Sequence, residues 1–559
     1  MSYPRQNPVP RQYKHYRQRM SLILCAAGIV LAACSSTDKQ HAHRTGTRPV
    51  PAQTTAQTAL IPAPVAAPAY PPVGEYLQQA KIDPEQLLNR ITWGLNSSSS
   101  QQLAVLGMDK FLDQQLRKRS AVLPAEIQSQ IDNMSITQQP FDKMIFALES
   151  RREAAAKLKG TDDTLRKEYQ QELTRLEREA ASRSLLRAVY SPNQMQEQMA
   201  WFWMNHFNLS NKKQNLRAML GDFEEQAIRP YALGNFRDLL RATVIHPAML
   251  RYLDNEHNAV NRINENYARE LMELHTMGVG SGYTQRDVQE LARVLTGVGI
   301  NLNNDIRRLR PEYQKSYLRK GLFEFNPQRH DFGDKQILGQ TIRGRGFAEL
   351  EEVITLLSRQ PATARFVSHK LAVYFVSDTP SPALVESMAQ RFLETDGDIP
   401  SVLRTMFATP EFVASLGNKF KDPMHYVVSA IRLAYDGVNL INTDPMLKWL
   451  NNMGELQNAH QTPDGYSMME SAWASPAQMT TRFDIAKTIA LGSPALFKLE
   501  NQEQKIRAQD LPRPNLATSD FVKKWSGNFS PTTQETLKQA STAQEWNTLF
   551  LAAPEMMRR

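Results

Sequence analysis

The sequence predicts a mainly α-helical protein: one large multi-helix domain carrying at most a small β-hairpin and preceded by a disordered tether. Three observations predict it. Apolar residues recur at helical spacing from about Tyr76 onward. Segments with strand character are few and short. The stretch before Tyr76 is too poor in large apolar side chains to bury a core. The chain divides accordingly into a signal peptide (1–33), a lipidated cysteine with its tether (34–75) and a helical domain (76–559).

The N-terminus carries an address. Arg5, Arg11, Lys14, Arg17 and Arg19 precede an apolar run over roughly residues 21–33, with no acid among them. The run is too short for a membrane-spanning helix and fits a signal h-region behind a basic n-region. It ends in Leu31-Ala32-Ala33-Cys34-Ser35-Ser36, which resembles the bacterial lipobox. That resemblance implies a palmitate-type diacylglyceryl anchor on the Cys34 thiol and cleavage just before it. Ser35, where an Asp would retain a lipoprotein at the inner membrane, implies the outer membrane of the cell envelope. The chain has two cysteines, Cys25 and Cys34. Cleavage would remove the first and lipidation consume the second, which excludes cysteine catalysis, cysteine-ligated zinc and disulfides. Removing the five basic residues takes the net charge from +9 to +4, too little on so long a chain to call for nucleic acid.

After Cys34 the chain is rich in Thr, Ala, Gln and Pro, with Pro49, Pro51, Pro62, Pro64, Pro68, Pro71 and Pro72 in its second part. Such a segment leans toward polyproline II and would reach on the order of 100 Å fully extended. In the domain, Leu87, Leu88 and Ile91 form one apolar stripe, and Val105 through Phe111, Leu112 and Leu116 another. Residues 150–185 are densely charged, with opposite signs three or four apart, as in solvated helices. Gly160 and Asp162 should break them into a helical hairpin. Leu322–Phe325 and Lys335–Leu338 should pair around a turn at Asp331–Asp334. Thr405–Phe412 and Leu549–Met556 echo each other, each a helix ending near a proline that opens the next.

Three segments have the residues for chemistry. Met199–Phe207 is apolar nearly all round, which predicts a central helix and leaves Asn205 and His206 as core polar groups in need of partners. In Asn264–Gly280, an α-helical wheel sets Tyr267, Leu271 and Leu274 on an apolar stripe. Asn266, Glu270 and Glu273 lie beside it, Arg269 can reach Glu273, and His275 sits roughly opposite Asn266 and Glu273. Gly278 and Gly280 should end that helix. His330-Asp331 opens a polar turn, where the Asp side chain can close the turn itself. The placement predicts that Asn266, Arg269, Glu270 and Glu273 gather with His206 in the interior.

These segments resemble the bacterial domain-of-unknown-function family numbered eighteen hundred. The likeness rests on Leu87-Leu88-Asn89-Arg90 with Trp93-Gly94, Asn205-His206-Phe207, Leu233–Arg237, His246–Leu250, Asn264–Gly280 with Tyr283-Thr284 and Leu295-Thr296-Gly297, His330-Asp331, Lys335, Phe375-Val376 and Pro410-Glu411-Phe412. Asp464-Gly465-Tyr466 stands where the family has Gly-Trp. The resemblance covers about residues 80–559. It implies an exported bacterial protein, and it carries no catalytic assignment over to any residue.

Two readings of function follow. One is a lipid-anchored scaffold or binding protein, attached to the membrane and serving an envelope partner. The other is an envelope hydrolase or metal-dependent enzyme using His206, Asn205, Asn266, Arg269, Glu270, Glu273, His330 and Asp331. Facing carboxylates and histidines can hold a divalent metal in a helical bundle. Glu-x-x-Glu is not the Glu-x-x-His of di-iron sites, so no cofactor is expected from the pattern. Phosphate-binding loops, nucleophile elbows and His-Glu-x-x-His are all missing from the sequence. A solvent-reached cluster with perturbed carboxylates favours the enzyme, and a sealed, fully paired network favours the scaffold.

Overall fold

A computed structural model of the protein describes residues 73–117, 122–157, 163–303, 307–498 and 511–559. The signal segment, Cys34, the tether to residue 72 and the predicted break at Gly160 and Asp162 lie outside them. The described residues belong to one compact unit, Ala63–Arg559. Its helices gather around one continuous apolar core running from Val73 to Met557, with a small satellite of Leu123, Ile127, Ile131 and Leu186.

Local signals start most helices. Asp83 accepts from the Glu85 amide ahead of Pro84–Ile91, Thr284 and Asp287 form a reciprocal capping box, and Thr409, Asp422 and Ser475 each cap a helix opening on proline. The echoed segments behave as the sequence suggests. The Ile399–Phe407 helix gives way to Pro410–Ser415, and Ala543–Leu551 gives way to a single 3-10 turn, Pro554–Met557.

Leu87, Leu88, Ile91, Phe111, Leu112 and Leu116 are all buried. Val105 is not: it is 86% exposed. Gly107, at φ +74°, ends one helix (Ser97–Leu106) and starts the next (Met108–Gln115), so Val105 never joins the later stripe. The charged region forms two helices, Phe141–Lys157 and Thr164–Tyr190.

Among the described residues there are five short strands, and the predicted pairing is corrected. β1 (Val298–Ile300), β2 (Leu318–Lys320) and β3 (Phe323–Phe325) form an antiparallel sheet in the order β1-β3-β2, while β4 (Lys335–Ile337) pairs only with β5 (Gln340–Ile342). Both predicted strands exist, but neither pairs with the other. Two-residue turns decide this. Gly321 leads the β2–β3 turn at φ +57°, and Leu338 and Gly339 both have positive φ in the β4–β5 turn. Tight hairpins of these glycine-bearing types close locally before a longer loop can compete.

Candidate functional site

The tryptophan-rich helix, Gln194–His206, is buried along almost its whole length. Asn205 is half-buried at its end and exchanges two hydrogen bonds with Tyr466: its amide donates to the Tyr466 carbonyl (2.9 Å), and its carbonyl accepts from the Tyr466 N–H (2.6 Å). Gly465, at φ +78°, lies so close that a Cβ there would sit 2.2 Å from the Asn205 backbone oxygen. The Asp464-Gly465-Tyr466 segment thus closes over the end of this helix, and its smallness at position 465 is a packing requirement.

His206 is sealed among Phe202, Trp203, Phe207 and Phe366. Its Nε2 donates to the His275 carbonyl at 3.1 Å, which leaves Nδ1 a bare acceptor with no hydrogen-bond partner. His275 is also buried, and its Nε2 is unpartnered. The two rings are 6.2 Å apart. Burial, with Lys370 nearby, pushes both imidazoles well down, His275 to about 3.

The helix that carries His275 changes pitch. Asn266–Glu270 is α-helical, but Leu271–Thr276 is a π-helix. A π turn advances about 80° per residue instead of about 100°. That rotates His275 onto the Tyr267–Leu271 stripe and swings Leu274 off it. Met272, His275 and Thr276 are buried, and Leu274 is half-exposed. The helix ends, as predicted, before Gly278 and Gly280, both at positive φ.

The predicted interior gathering is not what the structure shows. Asn266 is exposed and ties its amide to the Leu253 carbonyl at 3.1 Å. The Arg269 side chain is 38% exposed and splits between Glu265 (3.3 Å) and Glu273 (3.4 Å). Glu270 is half-buried. Among the described residues, no hydrogen bond or ion pair joins any of these four to His206. What does connect the regions is the 460–466 loop. Asp464 lies within electrostatic reach of Glu270, Tyr252 and Lys370. Burial, then Glu273 and Asp464, raise the Glu270 carboxyl, and burial with Glu270 pushes the Tyr252 hydroxyl to about 12. Glu270 donates or accepts no hydrogen bond among the described residues.

His330 and Asp331 belong to a separate, closed network. His330 faces the Thr296 carbonyl with Nδ1 (2.8 Å) and Glu349 with Nε2 (3.0 Å). Glu349 also takes Lys335 at 2.5 Å and the amides of Arg345 and Gly346. The His330, Lys335 and Glu349 side chains have no exposure. Burial alone would raise the Glu349 carboxyl, but the hydrogen bonds from His330 and Lys335 win and hold it low. Asp331 closes its own turn through the Gly333 amide (2.8 Å) and pairs with Arg293 (2.8 Å). Among the described residues, no three His, Asp or Glu side chains converge as a metal ligand set.

The segments that meet here are the ones that carried the resemblance. A family model described as "Protein of unknown function (DUF1800)" matches residues 86–558. The chain belongs to this family. No curated protein and no solved structure matches it. Seen on this DUF1800 domain, the shared segments are largely fold-forming. Arg90 reaches three separate carbonyls, Glu349 closes the His330 network, and Asn205 fastens the 460–466 loop. Sequence reasoning missed Lys370 and Asp464 as members of the site. The available signal for the first was a lysine inside the otherwise apolar end of the Pro361–Phe375 helix.

Proposed function

We propose that the protein is an exported, lipid-anchored component of the bacterial cell envelope, whose helical domain serves as a scaffold or binding module. The observation that carries the anchoring is Leu31-Ala32-Ala33-Cys34 at the end of an apolar run behind five basic residues. The scaffold reading is supported by the way candidate charges are consumed internally: Glu349 by His330 and Lys335, Asp331 by Arg293, Arg269 by Glu265 and Glu273. No described helix is long and apolar enough to cross a membrane, so membrane attachment in this reading falls to the Cys34 lipid. Ser35 directs the anchor to the outer membrane. Cys34→Ala is expected to move the protein from the detergent phase to the aqueous phase on Triton X-114 partition. A variant that still fractionates with membranes would sink the anchoring.

A second reading, an envelope hydrolase, is favoured by one observation. Glu270 is a half-buried carboxyl with a raised affinity for its proton, reachable by solvent and beside Tyr252 and Glu273. Those are the properties of a general acid. Because Glu270 makes no hydrogen bond among the described residues, Glu270→Gln should shift unfolding by less than about 1 kcal/mol. If the same substitution abolishes the cellular phenotype of the gene, the enzyme reading gains over the scaffold. A loss of several kcal/mol would instead make Glu270 part of the fold.

A further inference from the structure

We propose that Lys370 is a reactive amine that condenses with small aldehydes or ketones, in a side-chain cluster with Phe366, His206 and His275 that Asp464 borders. The proposal does not depend on membrane anchoring or on either reading of the Glu270 region.

The cluster forms where the Pro361–Phe375 helix packs against the π-helical segment. Phe366 is its hinge point. Its ring is 5.7 Å from the Lys370 ammonium and 6.1 Å from the His206 ring. A Cβ at Gly278 would come within 2.9 Å of the same ring, so the turn that ends the π-helix is pressed onto Phe366. Lys370 itself is only half-buried, which leaves it a route to solvent.

Lys370 differs from the other enclosed lysines. Lys335 is held by Glu349, Lys419 by Asp378 and Lys421 by the Ser429 hydroxyl. Among the described residues Lys370 donates no hydrogen bond and makes no ion pair. Its neighbours cannot neutralise it either. His206 and His275 stay uncharged, with Nδ1 of one and Nε2 of the other unpartnered. Among the described residues Asp464, exposed on the 460–466 loop, is the acid acting on it. A cation without a counter-ion in a poorly solvated place gives up its proton readily. Burial pulls the Lys370 amine down to about 8, against the partial opposition of Asp464. At pH 7.5 roughly a quarter of it would be free base, against about one part in a thousand for an ordinary lysine.

A free amine in such a place attacks carbonyl carbon. The Nζ lone pair forms the C–N bond while the carbonyl π pair moves to oxygen, which takes up the proton shed by nitrogen. The resulting carbinolamine loses its hydroxyl with a second proton as water, and the nitrogen lone pair completes the C=N bond. No oxidant or reductant is consumed. The Asp464 carboxylate acting on this amine disfavours anionic carbonyl compounds and leaves neutral ones as the fitting class.

The test is reductive trapping on the full-length protein. Propanal and cyanoborohydride would be added between pH 6 and 10, and each lysine followed by peptide mass spectrometry. Lys370 is expected to be alkylated at pH 7.5 at least about tenfold faster than the median exposed lysine, with its midpoint near pH 8. Asp464→Asn removes the acid that favours the ammonium, so the midpoint should move to lower pH. Lys370→Arg should delete the fast site while leaving the unfolding midpoint unchanged. Alkylation of Lys370 at or below the median rate, a fast site at Lys421 instead, or an unmoved midpoint in Asp464→Asn would each overturn the proposal.

Discussion

Replacing Arg90 with Ala is expected to bring the domain close to unfolding, with a loss of about 4 kcal/mol or more in urea melts followed by tryptophan fluorescence. Arg90 has no exposure. Its guanidinium donates to the Phe375 carbonyl, to the Ser415 hydroxyl (2.8 Å) and carbonyl (2.5 Å), and to the Arg559 carbonyl (2.6 Å). These acceptors come from segments about 285 to 469 residues away in sequence. One side chain thus ties the first helices of the domain to its last residues. Truncation strips the buried Phe375 and Arg559 carbonyls of this donor, leaves the Ser415 carbonyl only the Asn418 amide, and opens a cavity besides. Against a total stability of about 5–15 kcal/mol, that is a large share. Lys should rescue little, because a single ammonium cannot address acceptors spread around a planar fork. If Arg90→Ala lowers stability by less than about 1 kcal/mol, the guanidinium is not the tie described here.

Arg90 also shows where the sequence stops being readable. Its helix was legible: Leu87, Leu88 and Ile91 lie on one stripe, and Asp83-Pro84 marks the start. That a guanidinium sits on the buried face could be seen only as a local oddity. Its acceptors are backbone carbonyls, which have no sequence signature. The same limit governs the candidate site. The central position of the Gln194–His206 helix followed from its apolar circumference, and so did the burial of His206. The partner of His206 did not, because the wheel assumed α pitch through Leu271–Thr276. With π pitch, His275 moves from the edge of the Tyr267–Leu271 stripe onto it, while Glu270 and Glu273 stay half-buried with no hydrogen bond or ion pair to His206 among the described residues. The strand pairing failed for a related reason. The segments were strand-like, but the two-residue turns at Gly321-Leu322 and Leu338-Gly339 chose the partners.

Acid is expected to destabilise the domain steeply between about pH 6.5 and 4.5, well above the range where carboxylates alone would act. Three buried histidines cause it. Burial holds His206 well down, His275 at about 3 and His425 at about 4. His425 is fixed in a neutral form, with Nδ1–H on Asp422 (2.8 Å) and Nε2 accepting from the Tyr374 hydroxyl (3.3 Å). An unfolded chain binds a proton on each ring as the pH falls below about 6.5, while the folded chain does not. Each ring therefore stabilises the fold fully above that pH, and the contribution is lost on acidification at about 1.4 kcal/mol per pH unit. Buried Glu455 works the other way: burial, then Asp422, raise its carboxyl, so the folded state binds a proton first and gains as pH falls. It offsets part of the slope of the rings, as do the raised carboxyls of Glu177, Glu224 and Glu270. Lys421, at about 7, and Lys370, at about 8, lose their contributions above this range and add no slope within it. The net expectation is a slope of positive sign below the three rings' ceiling of about 4 kcal/mol per pH unit. Urea midpoints at pH 7.5, 6.5, 5.5 and 4.5 would measure it. His275→Asn should flatten the slope by about one proton, and a slope already below one proton in the unaltered protein would mean that these rings titrate within the folded state.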